Sequence, residues 1–76
     1  MTPEELLRGL ERAREDKKEF VLFLDNNGYY HKNEVANLNP KKSKINESVI
    51  SFEVETGQQY YNMNLIEEVY VANKMI

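Results

Sequence analysis

Phe20-Val21-Leu22-Phe23-Leu24, followed at once by Asp25-Asn26-Asn27-Gly28, decides the fold class. Five consecutive apolar residues, two of them aromatic and bounded by turn formers, read as a strand buried on both faces. One face would meet the interior of a β-fold and the other an N-terminal helix. Asn27-Gly28 closes a strong turn signal. Tyr29 to Leu38 then returns as a second strand, in which Val35 and Leu38 fall on opposite parities. A bulge or bend reconciles them.

Upstream, Thr2-Pro3-Glu4-Glu5 reads as a helix start: Thr2 caps, Pro3 takes the first helical position and Glu5 completes a capping box. Leu6, Leu10, Ala13 and Lys17 follow helical spacing with Leu7 beside them, which predicts a helix over about 3–17 with one apolar stripe. Gly9 costs about 1 kcal/mol against alanine in a helix interior, and close packing on a sheet would explain it.

Downstream, 39–44 reads as a loop, with Pro40 lacking a ladder donor and the lysines solvated. Ile50, Phe52 and Val54 alternate with Ser51, Glu53 and Glu55, which is the clearest strand signal in the chain. Thr56-Gly57 turns into a fourth strand over 58–63, with Tyr61 and Met63 on one face. Asn64-Leu65-Ile66 reads as a single helical turn, and 68–72 as a last strand with Val69 and Val71 inward. The expected fold is α+β and mainly β: one helix, then five antiparallel strands curled into a small barrel of SH3-like or Sm-like type at about 19–72. All 76 residues belong to one domain.

The chain has no cysteine, so neither a disulfide framework nor a thiolate metal site is available. It has no apolar run long enough for a membrane span, and its acidic first residues do not read as a secretory leader. A cytoplasmic location is the expectation. The net charge is −3, all of it in residues 19–76, since the acids and bases of 1–18 cancel. That body repels phosphate backbones at long range, so nucleic acid is disfavoured as a partner. So small a core often gains from pairing, so a homo-oligomer is also open.

Residues 19–71 resemble two families. Phe20-Val21-Leu22-Phe23-Leu24, Asp25 with Gly28, Leu38-Asn39-Pro40 with Lys44-Ile45, Ile50-Ser51-Phe52 and Leu65-Ile66-Glu67-Glu68-Val69 resemble the YolD-like family of small bacterial and phage proteins. That resemblance implies a partner protein in DNA-damage tolerance of Gram-positive bacteria and mobile elements, with no catalytic residues to carry over. Val21 to Gly28 and Tyr61-Asn62-Met63-Asn64 resemble the Sm-like fold, including the bacterial Hfq type, which implies RNA-binding rings. Here the Lys and His of that family's Tyr-Lys-His-Ala element are missing. Asn33 and Glu34 stand where the second strand would carry its glycine.

His31 is the lone histidine and lacks the partners a triad or a zinc site needs. Glu53 and Glu55 share a strand face, as an acid–base or cation pair would, but they equally form the solvated face of an amphipathic strand. Gly28 and Gly57 belong to no phosphate-cradling motif. The best candidates are the doublets Tyr29-Tyr30 and Tyr60-Tyr61, in each of which alternation sends one ring inward and one outward. The outward rings would anchor a protein partner or stack on bases; plain cross-strand packing is the competing reading. Lys41, Lys42 and Lys44 form the one basic cluster, a phosphate contact or simply a solvated loop tip. The chain therefore reads as a binding module without cofactor, metal or catalytic set, recognising a protein partner. An Sm-like oligomer binding RNA or single strands is the alternative.

Overall fold

A computed structural model describes residues 1–73. Its elements, in order, are helix α1 (Pro3–Glu15), strands β1 (Phe20–Asp25) and β2 (Tyr30–Glu34), two 3-10 turns (Val35–Asn37 and Pro40–Lys42), strands β3 (Ser43–Asn46), β4 (Val49–Val54) and β5 (Gly57–Asn62), a third 3-10 turn (Met63–Leu65) and strand β6 (Ile66–Ala72).

Helix α1 starts as its sequence dictates. The Thr2 hydroxyl accepts from the Glu5 N–H at 3.1 Å, and the Glu5 carboxylate accepts from the Thr2 N–H at 3.2 Å, which satisfies two of the donors a helix start leaves open. These bonds hold the Glu5 carboxyl below its ordinary pKa. The helix ends two residues before the expected position. Lys17 adopts a left-handed φ of 57°. The Lys18 N–H reaches back to the Ala13 carbonyl at 2.9 Å and the Lys17 N–H to Arg14 at 3.2 Å, a Schellman closure with lysine where glycine is usual. Leu6, Leu10 and Ala13 face the core.

Among the described residues the β-part has six strands, not five, and they do not close into a barrel. They form two separate antiparallel sheets with orders β2-β1-β6 and β3-β4-β5. The divergence lies at 35–46. Val35–Asn37 coils into a 3-10 turn, which lets both Val35 and Leu38 point into the core despite their opposite parities. Asn39 caps the next turn, its Oδ1 accepting from the Lys41 N–H at 3.0 Å, and 43–46 becomes an edge strand where a loop was expected. Pairing with β4 supplies the ladder that local sequence does not announce.

The core lies between the two sheets and α1. Phe23, Val21, Phe52, Ile50 and Leu38 are wholly buried, joined by Leu6, Leu10, Ala13, Val35, Met63 and Ile66. Each large apolar side chain buried this fully stabilises the fold by about 1.5–3 kcal/mol. Three backbone bonds extend the pairing past the strand ends within each sheet: Asn26 N–H to Leu65 at 2.9 Å, Met63 N–H to Ser48 at 2.8 Å and Val35 N–H to Glu19 at 2.8 Å. On β6 the register slips opposite Leu24 and Asp25, leaving Glu67 unpaired. That bulge allows Ile66 and Val69, three residues apart, to share the inner side. Val71, expected inward, remains 43% exposed beside α1. Gly9 does not mark a close approach, because a Cβ there would meet nothing within 4 Å.

Candidate functional site

The register of the first sheet creates a surface that no single segment displays. Residues paired across antiparallel strands point to the same side. Phe20 pairs with Glu34 and Ala72, Leu22 with Lys32 and Tyr70, and Leu24 with Tyr30 and Glu68. These nine side chains form the face turned away from the core, since Val21 and Phe23 fill the inner one. Along the middle run the half-buried Phe20, Leu22 and Leu24. So β1 is apolar on both faces, as its sequence reads, but only its inner face meets core; its outer face is open. Tyr30 and Tyr70, 59% and 44% exposed, flank Leu22 around a shallow depression. Their ring centroids lie 6.1 Å apart with planes tilted by 51°.

The polar groups of this face stand at its margins. On the β2 side the Lys32 Nζ lies 4.4 Å from the centre of the Phe20 ring, in cation–π range. On the β6 side the Tyr70 hydroxyl donates to the Glu68 carboxylate. That bond to an anion keeps the phenolic proton in place and pushes the Tyr70 pKa up to about 12.

The remaining sequence candidates are dispersed. Tyr29 lies in the β1–β2 turn and is 69% exposed, so both rings of the first doublet point to solvent. The alternation expected of that doublet fails because the strand begins only at Tyr30. The second doublet alternates as expected. Tyr60 faces out, and Tyr61 faces in, edge-on to Phe23 with its hydroxyl donating to Asn33 Oδ1 at 2.7 Å. Burial raises the Tyr61 pKa. Tyr61 is therefore a packing residue. Tyr60 occupies the outer face of the other sheet, in one cross-strand row with Ser51 and Lys44. Lys41 and Lys42 sit in the 3-10 turn before it. The tyrosines and lysines named from the sequence do not assemble into one site.

Glu53 and Glu55 do not share a strand face: β4 ends at Val54, and Glu55 lies in the following turn. Both line an open depression of about 450 Å³ together with Lys42, Asn37 and Asn39. His31 contacts Asp25, with Nε2 2.8 Å from Oδ2. The other Asp25 oxygen accepts the N–H groups of Asn27 at 2.9 Å and Tyr29 at 3.0 Å. The bond to His31 and these backbone donors hold the Asp25 carboxyl below its ordinary pKa. The arrangement is a turn anchor, with no nucleophile among the described residues beside it to make it a triad.

Two features escaped the sequence reading. Tyr70 was legible only as one more strand residue, although it alternates with Val69 and Val71 and so had to point away from them. Asp25 and His31 meet because the hairpin places His31 opposite Phe23, two residues from Asp25; the turn signal at 25–28 was sufficient to find that diagonal. Comparison of the chain with family models, with curated proteins and with solved structures finds no match in any of the three.

Proposed function

We propose that this protein is a non-enzymatic binding module that docks a protein partner on the outer face of the β2-β1-β6 sheet. Tyr30 and Tyr70 are the aromatic anchors and Leu22 is the floor between them. The observation that carries the reading is the row Phe20, Leu22, Leu24, three large apolar side chains on the central strand and outside the core. A contiguous apolar patch rimmed by polar groups is the usual form of a protein contact surface, and rigid aromatic side chains supply most of the binding energy at such surfaces.

Charge argues for protein over nucleic acid. Among the described residues the face carries one cation, Lys32, against two carboxylates, Glu34 and Glu68. The cluster Lys41, Lys42 and Lys44 belongs to a different part of the surface. Phosphate binding scales with the number of cations engaged, and the described residues of this face offer one.

The test compares three variants in an affinity capture with quantified bound protein. Tyr30→Ser and Tyr70→Ser should each lose a partner that wild type and Tyr60→Ser retain, with circular dichroism unchanged in all. Equal retention by Tyr30→Ser and Tyr70→Ser would remove this face from consideration.

A further inference from the structure

We infer that the occupant of this face is a second copy of the same chain, docked sheet to sheet about a two-fold axis parallel to β1. The inference rests on the docking-face reading above and names its partner. A two-fold contact buries the same patch on both copies, so the patch must complement itself. Rotation about an axis lying between the sheets and along β1 sends β2 of one copy over β6 of the other and leaves β1 over β1. Applied to the cross-strand rows, it stacks Phe20, Leu22 and Leu24 on their own counterparts. It brings Tyr30 over the second copy's Glu68. It also sets Lys32 over the second copy's Tyr70, one row from the Glu68 to which that tyrosine is hydrogen-bonded, and the reverse. Glu34 falls over Ala72, where it meets no like charge.

The perpendicular choice of axis fails on the same grid. It would place β2 over β2 and bring Lys32 against Lys32, a like-charge contact in an apolar surround. The polar margins therefore select one orientation: Lys32 on the β2 side faces Tyr70 on the β6 side, Glu34 faces Ala72, and the apolar row lies between. Aligned sheets pack about 10 Å apart, and the axis brings the paired Tyr30 and Tyr70 rings of one copy onto those of the other.

The size of the patch sets the strength. Three strands at about 4.8 Å spacing, each contributing three alternate residues, bury on the order of 1,000 Å² over both copies, the lower limit for a specific interface. The dimer is accordingly a concentration-dependent one.

The deciding experiment is sedimentation velocity of the full chain from low-micromolar to millimolar concentration at low ionic strength. Wild type should pass from monomer to dimer. Lys32→Glu and Glu68→Lys each create two repulsive contacts by symmetry, and each alone should weaken association by about tenfold or more. An equimolar mixture of the two variants should dimerise again. In the mixed dimer the carboxylate introduced at position 32 of one copy lies diagonally opposite the ammonium introduced at position 68 of the other, one row away, and the native Lys32 lies likewise toward the native Glu68. Both positions are exposed, so the fold tolerates either charge. Restoration by mixing confirms the orientation. Wild type that remains monomeric throughout, or charge variants that dimerise unchanged, overturns the self-docking. A monomer that still loses a different partner on Tyr30→Ser would overturn the second copy as occupant while leaving the docking face in place; no partner of either kind would end both readings.

Discussion

The Phe23 ring of β1 and the Tyr61 ring of β5 meet edge to face, their centroids 4.7 Å apart and their planes at 77°. The two residues belong to different sheets, and the Tyr61 hydroxyl reaches further to Asn33 on β2 at 2.7 Å. One side chain thus joins the layers both by packing and by a hydrogen bond. Tyr61→Phe should keep the packing and cost about 1 kcal/mol, the net value of one hydrogen bond. Tyr61→Ala should cost about 2–3 kcal/mol, below the range for a wholly buried aromatic because Tyr61 is half-buried. Urea unfolding of both variants separates the two contributions. A Tyr61→Phe curve superimposable on wild type would deny the bond a role.

Phe52 has no exposed surface and centres the inner face of β4. Phe52→Ala should destabilise by roughly 3–5 kcal/mol, a large part of the stability of so small a domain. A shift of a few tenths in the same urea assay would be incompatible with its place in the core.

Helix α1 has its glycine and its lysine at the wrong ends. Gly9 sits in the helix interior with open space where a Cβ would project, whereas Lys17 occupies the left-handed position of the closure. Gly9→Ala should stabilise by about 1 kcal/mol through helix propensity. Lys17→Gly should do so by a similar amount, about 1 kcal/mol, by relieving the left-handed backbone. Thermal unfolding should show both increments, and additively, since the sites do not touch.

Asp25 makes stability depend on acid. Its folded pKa lies below an unfolded value of about 3.9, so its contribution is fully present above that pH and is lost as the pH falls through the lowered folded value. Glu5 acts in the same direction. Urea midpoints measured downward from pH 5 should fall more steeply for wild type than for Asp25→Asn, which has no charge to lose. Parallel slopes would mean that the carboxylate is not linked to folding.

Much of the molecule was legible because it is local. The capping box at Thr2 and Glu5, the turn at 25–28 and the alternation of Ile50, Phe52 and Val54 each depend on neighbours within a few residues. The illegible part is 35–46. There a 3-10 turn and an edge strand are held by pairing and burial rather than by propensity, and a bent second strand was the nearest local guess. The candidate site followed the same division: Tyr30 was named, whereas Tyr70 was not, because what joins them is the shared pairing with β1.

The sequence by itself determined the class of this protein: a helix before a set of short antiparallel strands, an acidic body, and a central strand apolar on both faces. Periodicity and turn chemistry are short-range properties, and they suffice for that. Only the tertiary structure decided that the strands divide into two open sheets, that Tyr61 belongs to the core, and that Leu22 lies between Lys32 and Tyr70 on an uncovered face. Those facts depend on which strand pairs with which and in what register. A register shift of one residue turns every side chain to the other side of its sheet, and pairing between residues 22 and 70 is set by burial of the whole core, not by either segment alone.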